Sequence, residues 1–371
     1  DWPAMWERWE PFLAHVQHRA DLTLIIQQLI GELACGHQYV NGGEYPDGPG
    51  GISVGLLGAD FEADSGMHRI ARIHAGQNWN ASGTSPLTLP GVDVREGDYL
   101  LAVDGVELSS ADNVYAAFVD TVGKLTELTL ASDAAGTDQR TALVTPIGSE
   151  WSLRRSSWIE DCRRRVDEAS GGRLAYIYMP NTGGQGMNSF DRDFYSQLDR
   201  EGLILDERYN GGGQVADYVI ETLERDVMSY WLNREGWVGV SPSALLEGPK
   251  VMVINESAGS GGDWMPWAFQ RRGIGQLVGT RTWGGLVGIS GYPPLMDGGS
   301  VTSANFGVMD PEGNWVVENV GVTPDHEVIE WPAPIMDGAD PQLDRAIELA
   351  LEALEQHQPR PLPKYVPPTP R

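Results

Sequence analysis

The sequence predicts a multidomain α/β protein: an N-terminal helical segment, a middle domain of short strands, and an α/β domain built on a mostly parallel sheet. Three observations carry this. Apolar residues recur at helical spacing before residue 40. They change to short strand-like runs between about 52 and 147, and after Trp151 strand-length apolar runs alternate with helix-length amphipathic ones. A chain of 371 residues, 41% of them hydrophobic, has the length for two or three domains at roughly 150 residues each and the apolar content for real cores. The expected divisions are 1–40, 41–148 and 149–358, with a Pro-rich tail at 359–371.

Taken in order, residues 4–34 read as helix. Trp6, Trp9, Phe12, Leu13 and Val16 share one face, and Leu22, Leu24, Ile25, Leu29 and Leu33 follow after an Asp21 cap. Asn41 to Gly51 is dense in Gly and Pro and reads as a junction. Ile70–Ile73, Tyr99–Val103 and Leu125–Ala131 read as strands, the second closed by an Asp104-Gly105 turn, and Ser110–Val122 reads as one helix. Arg163-Arg-Arg165 follows Cys162 on a helix and reads as a solvated or salt-bridged face. Leu174–Met179, Leu203–Asp206 and Val251–Ile254 are expected strands, with helices at Met187–Arg200, Ala216–Leu223 and Pro341–Gln356. Such alternation implies right-handed βαβ units, whose ligands sit at the carboxyl ends of the strands.

Lys and Arg total 26 against 52 Asp and Glu, a net charge of −26. A surface this acidic repels phosphate backbones and anionic lipid, so neither nucleic acid nor membrane is an expected partner; focused in a cleft, it would attract basic peptides. Cys35 and Cys162 are too few for a disulfide framework or zinc knuckle, and two free thiols in a reducing compartment is the simpler reading. No apolar run approaches the roughly 18 residues of a membrane span. No His/Cys/Asp cluster has ligand spacing, so no metal or cofactor is expected. The chain opens at Asp1-Trp2 and reads as a piece of something longer. A cytoplasmic location is expected, with the periplasm left open.

Two loops could carry chemistry. Ser260 lies in Ala-Gly-Ser-Gly-Gly-Asp just after the Val251–Ile254 strand, where small neighbours let a strand turn sharply into a helix and expose one hydroxyl. Asn210-Gly-Gly-Gly213 follows another strand end and allows close backbone approach to a ligand. Alone, each is most often a plain turn. Lysine occurs only at 124, 250 and 364, so a Ser–Lys dyad on this domain is disfavoured and activation of Ser260 falls to histidine. Of seven histidines, His37 is the one expected at a helix end beside a glycine, a position usually occupied by a cap.

The stretch Gly91-Val-Asp-Val-Arg-Glu-Gly-Asp-Tyr-Leu-Leu-Ala-Val-Asp-Gly-Val resembles PDZ domains, in which a peptide adds as a strand to a sheet edge. A purely scaffolding role for this domain weighs equally. Read in order, Gly31–Tyr39, this PDZ-like stretch, Asp206–Gly213, Asn255–Asp263, Gly279–Gly285 and Val317–Asp325 resemble the motifs of the tricorn family of serine peptidases, relatives of the C-terminal processing peptidases. The resemblance runs from about residue 3 to 356. It implies an α/β domain of the type shared with crotonases and Clp peptidase, peptide or unfolded-polypeptide substrates, and assembly as a homo-oligomer, a trimer or hexamer. It also implies Ser260 as nucleophile, His37 as general base, Glu318 as the acid that orients it, and the N–H groups of Gly213 and Gly261 as oxyanion hole.

Two departures from the family pattern stand out. The family places a serine before its histidine to relay a hydrogen bond to the glutamate, and Gly36 has no side chain to do so. Gly36→Ser is therefore expected to raise turnover. An aspartate that pairs with basic P1 side chains is replaced by Trp231, which predicts a weaker basic preference and more tolerance for apolar P1. Two rival readings remain: a catalytically impaired PDZ-type peptide-binding module, and acyl-CoA chemistry on a crotonase-like frame, the latter resting on fold analogy alone.

Overall fold

The computed structural model describes residues 1–45, 48, 50–77, 83–358 and 360–362. Part of the expected Gly/Pro-rich junction and most of the expected Pro-rich tail lie outside these residues. The chain divides into two compact units, one formed by Asp1–Pro46 together with Arg163–Arg371 and the other by Asp47–Cys162. In sequence the first unit opens with α1 (Trp2–Trp9), α2 (Arg19–Gly31) and β1 (Tyr39–Asn41).

The single helix expected over 4–34 is instead broken. A 3-10 turn, Glu10–His15, has Pro11 in its first positions, and Val16 is extended at φ −68°, ψ 121°. Helix α2 restarts with His18 as its N-cap, and Asp21 acts from the third helical position by accepting the His18 N–H at 3.3 Å. The apolar period persists through the break, which is why sequence alone did not reveal it.

The Asp47–Cys162 unit holds β2 (Ala59–Asp64), β3 (Met67–Ile73), β4 (Tyr99–Val103), β5 (Val106–Glu107), β6 (Thr126–Ala131) and β7 (Arg140–Val144). They form an antiparallel sheet in the order β2-β3-β4-β6-β7, with β5 paired to β4. The β4–β5 turn is Asp104-Gly105, with φ of 48° and 76°, the left-handed pair that a two-residue hairpin requires. Leu57, Ile70, Leu100, Phe118, Leu128 and Leu130 centre its core. The helix expected at Ser110–Val122 shrinks to a 3-10 turn at Val114–Phe118. Tertiary pairing overrides the local pattern there: Val119 bridges Val54, Gly55 N–H donates to Phe118 O at 2.8 Å, and Asp120 takes φ 57°.

Helix α3 (Trp151–Ser170) crosses the division between the units. It is followed by β8 (Leu174–Tyr178), α4 (Gly184–Tyr195), β9 (Gly202–Asp206), α5 (Ala216–Leu223), β10 (Ser229–Leu232), β11 (Val238–Ser241), β12 (Lys250–Ile254), α6 (Gly261–Arg271), β13 (Gly275–Gly279), β14 (Ser300–Thr302), β15 (His326–Glu327), α7 (Pro332–Met336) and α8 (Pro341–Gln356). A parallel sheet runs β15-β13-β12-β9-β8. Every residue of β8, β9 and β12 is buried, as a parallel sheet covered on both faces demands. Ile177, Leu205, Met252 and Leu277 pack in one cluster with Phe190, Phe194, Val219, Met265 and Phe269 of α4, α5 and α6, while α8 lies along β9, β12 and β13. Short antiparallel pairs β1–β14 and β10–β11 complete the unit. No disulfide joins Cys35 and Cys162.

Candidate active site

Ser260 stands just beyond the carboxyl end of β12, at the N-cap of α6, with φ 57° and ψ −116°. A non-glycine residue in this region costs about 1–3 kcal/mol and persists only where its surroundings enforce it. Asp263 supplies much of the enforcement. Its buried carboxylate accepts the N–H groups of Ser260 (2.9 Å), Gly284 (2.8 Å) and Gly285 (3.1 Å) and the Thr282 hydroxyl. Burial raises the Asp263 carboxyl above its ordinary value, while those hydrogen bonds work to lower it.

The glycine loop after β9 meets this turn directly. Asn210 O accepts Gly259 N–H at 3.0 Å and Asn210 Oδ1 accepts Gly212 N–H at 2.9 Å, so one asparagine ties the two loops together. A Cβ on Gly212 would lie 2.7 Å from the Cβ of Ser260, which makes glycine obligatory at that approach. Beneath the loop, Glu207 is fully buried. Desolvation first, then Asp263 and Asp206, push its carboxyl well above the usual range, and Asn210 Nδ2 donates to it at 3.3 Å. Beside it Arg208, also buried, binds Asp206 (2.7 Å), Glu330 (2.9 Å) and Asp340 (2.8 Å).

His37 is not at a helix end, because α2 stops at Gly31. The chain leaves the helix through two residues in left-handed conformation, Ala34 (φ 49°) and His37 (φ 58°). The loop carrying Glu318 clasps this segment: Gly36 N–H donates to Glu318 Oε1 at 2.6 Å, and Asn319 Nδ2 donates to Ala34 O at 2.8 Å. The second oxygen of Glu318 accepts Leu286 N–H (2.7 Å) and Val287 N–H (2.9 Å). Glu318 thus holds three backbone amides, and the buried Nδ1 of His37 has no hydrogen-bond partner among the described residues. Burial lowers the His37 imidazole below its ordinary value, with Glu318 and Asp263 pulling it upward.

His37, Ser260, Gly213 and Gly261 line one cavity of about 370 Å³, whose remaining walls include Ala216, Trp264, Leu286, Ile289, Phe306 and Val308. Neither Glu318 nor Trp231 is among its walls. Trp231 sits on β10, 64% exposed and opposite Gly239. Sequence reasoning did not single out Asp263, Glu207 or Trp283. The Ser-x-x-Asp spacing, a helix-start pattern, could have revealed Asp263. Glu207 and Trp283 lie inside the Asp206–Gly213 and Gly279–Gly285 motifs, but nothing in their spacing shows what they contact. Among the described residues, no group of three or more His, Cys, Asp or Glu is arranged to hold a metal ion.

Comparison with known proteins defines the class. Residues 55–149 match the tricorn protease PDZ domain, and residues 173–328 match peptidase family S41. The chain belongs to the tricorn-like serine peptidases of family S41. Tricorn protease homolog 1 of Streptomyces coelicolor is 39% identical over 359 residues, 96% of this chain and 33% of that protein. The tricorn protease of Thermoplasma acidophilum is 33% identical over 350 residues, 94% of this chain and 32% of that protein. The crystal structure of the tricorn protease matches with a TM-score of 0.86 at 32% identity, covering 95% of this chain and 34% of that one. The chain therefore spans about a third of the length of the curated relatives it matches.

Proposed function

We propose that this chain hydrolyses peptides or unfolded polypeptides through an acyl-enzyme on Ser260. The observation that carries the reading is one cavity lined by a strained serine, a histidine and two glycines, Gly213 and Gly261, whose N–H groups would form the oxyanion hole. His37 takes the Ser260 proton as the hydroxyl oxygen attacks the carbonyl carbon. The two amides stabilise the oxyanion. His37 then passes the proton to the departing amine as the C–N bond breaks, and water releases the acyl group by the same route. The lowered imidazole basicity favours this role, because it keeps His37 neutral to lower pH.

The cavity walls are mostly apolar, which supports acceptance of apolar side chains at P1. The exposed indole of Trp231 presents a face on which an arginine of a longer substrate can stack, a weaker hold than an ion pair. Peptide capture by the PDZ domain and assembly as a trimer or hexamer belong to the same proposal, as does a cytoplasmic location. Among the described residues, no helix is long and apolar enough to cross a membrane.

A second reading, a peptide-binding module with impaired chemistry, draws on the unpartnered His37 Nδ1. Digestion of a mixed peptide library by the wild type and by Ser260→Ala separates the two. Cleavage that vanishes in the variant supports the peptidase, and binding without cleavage in either supports the module.

A further inference from the structure

We propose that Trp283 positions His37: its indole is the spacer that sets the imidazole against the Ser260 turn. The inference rests on His37 being the general base.

At Nδ1 the imidazole has no polar tether: that atom is buried without a partner among the described residues, and Glu318, the carboxylate with the larger pull on the ring, is occupied by the amides of Gly36, Leu286 and Val287. Backbone contact secures only the peptide around it, with the Thr302 hydroxyl donating to His37 O at 3.2 Å. Two aromatic rings lie beside the imidazole. Trp283 lies 5.4 Å away, centroid to centroid, tilted by 54°; Tyr39 lies 6.2 Å away, edge-on.

Trp283 is itself fixed. Its backbone N–H donates to Ala258 O at 2.9 Å, two residues before Ser260. The indole is inlaid between three glycines. A Cβ would stand 2.6 Å from Trp283 Cε3 if placed on Gly259, 2.2 Å from Cζ3 on Gly285, and 3.5 Å from Cη2 on Gly36. Gly259 immediately precedes Ser260, and Gly36 immediately precedes His37. One rigid side chain therefore spans the residue before the nucleophile and the residue before the base. Where no hydrogen bond orients an imidazole, a packed ring is the remaining means of holding it within the fraction of an ångström that proton transfer requires.

The same indole, itself partly exposed, lies beside the half-buried His37 ring. Its removal would solvate the imidazole, leaving Glu318 and Asp263, the charged groups that act on it, to favour the cation. Trp283→Ala and Trp283→Phe are to be compared by kcat and KM on one peptide and by NMR titration of His37. Trp283→Ala is expected to lower kcat about 100-fold with KM within about threefold. Its His37 titration should move upward. Trp283→Phe, which keeps a flat ring, should recover most of both. An Ala variant with kcat within about threefold of wild type and an unmoved titration would overturn the proposal. So would a Phe variant as impaired as Ala with a wild-type titration. If Trp283→Ala does not fold, Trp283→Leu, apolar but not flat, is read by the same criteria. If cleavage proves independent of Ser260, the peptidase reading fails, while the titration still decides whether the indole holds the ring.

Discussion

Glu318 reaches the His37 segment through the backbone: its Oε1 accepts the N–H of Gly36 at 2.6 Å, and no hydrogen bond joins its carboxylate to the imidazole. The carboxylate acts as a clasp between three loops and as a charge near His37. It does not orient the ring by direct contact. Both jobs need a carboxylate, since three amide donors converge on two oxygens.

Glu318→Gln keeps the shape but offers one oxygen and an NH2 to those three donors. One amide then faces another donor, a loss of about 1–3 kcal/mol. The expected result is a kcat lower by about 100-fold, as the base segment shifts, with a lower unfolding temperature. A Gln variant that cleaves at the wild-type rate would show that the clasp is dispensable.

At Gly36 the sequence-based expectation of higher turnover on Gly36→Ser meets a steric condition. A Cβ there would lie 3.0 Å from Gly285 Cα and 3.4 Å from Glu318 Oε1. Gly36→Ala carries that crowding without a hydroxyl and should lower kcat. Gly36→Ser adds a hydroxyl that can donate to Glu318 and accept from the orphaned His37 Nδ1, and should exceed Ala by about 10-fold, the scale of one hydrogen bond. Equal rates for Ser and Ala in steady-state assays would dismiss a missing relay.

If His37 is the general base, the pH dependence of cleavage follows from it. Burial lowers its folded value, so the neutral, base-competent imidazole persists at pH values where an ordinary histidine is already protonated. The acid limb of kcat/KM should fall below the ordinary value of about 6.5. A limb at or above that value would mean the two carboxylates outweigh the burial.

Glu207 predicts an opposite trend in stability. Its folded value is raised, so the native state holds a proton that the unfolded state releases above the ordinary glutamate range. Native stability is thus eroded as pH rises from that range toward the folded value. Glu207→Gln keeps an acceptor for Asn210 and removes the buried acid. Its unfolding temperature should exceed that of wild type at pH 8, by about 2–4 °C for each kcal/mol relieved, and match it near pH 4. Parallel melts at the two pH values check this, and equal differences at both would contradict it.

Where local pattern and tertiary context agree, the sequence was an accurate guide. Helices α5 and α8 begin and end where periodicity placed them, and the runs ending at Asp206 and Ile254 are buried strands. It failed where distant chain segments decide the conformation, as at Val119, drawn into a bridge with Val54, and in the helix read through Pro11. In the site, the glycine-rich turns at 210–213 and 259–262 announced themselves because close approach excludes side chains. The partner of Glu318 could not be read, since it is a backbone amide, and neither could the seat of Trp283, formed by glycines from three loops.

The Gly36–Glu318 hydrogen bond joins positions 282 residues apart, and Arg208 awaits Asp340, 132 residues further on. A chain emerging from the ribosome therefore displays its serine turn long before the clasp and the buried ion cluster can close. If Ser260 is the nucleophile, the enzyme is born unarmed. If the clasp is also required, the site is completed only when nearly all of this chain has been synthesised, and a nascent polypeptide would not cut itself or its neighbours on the way out.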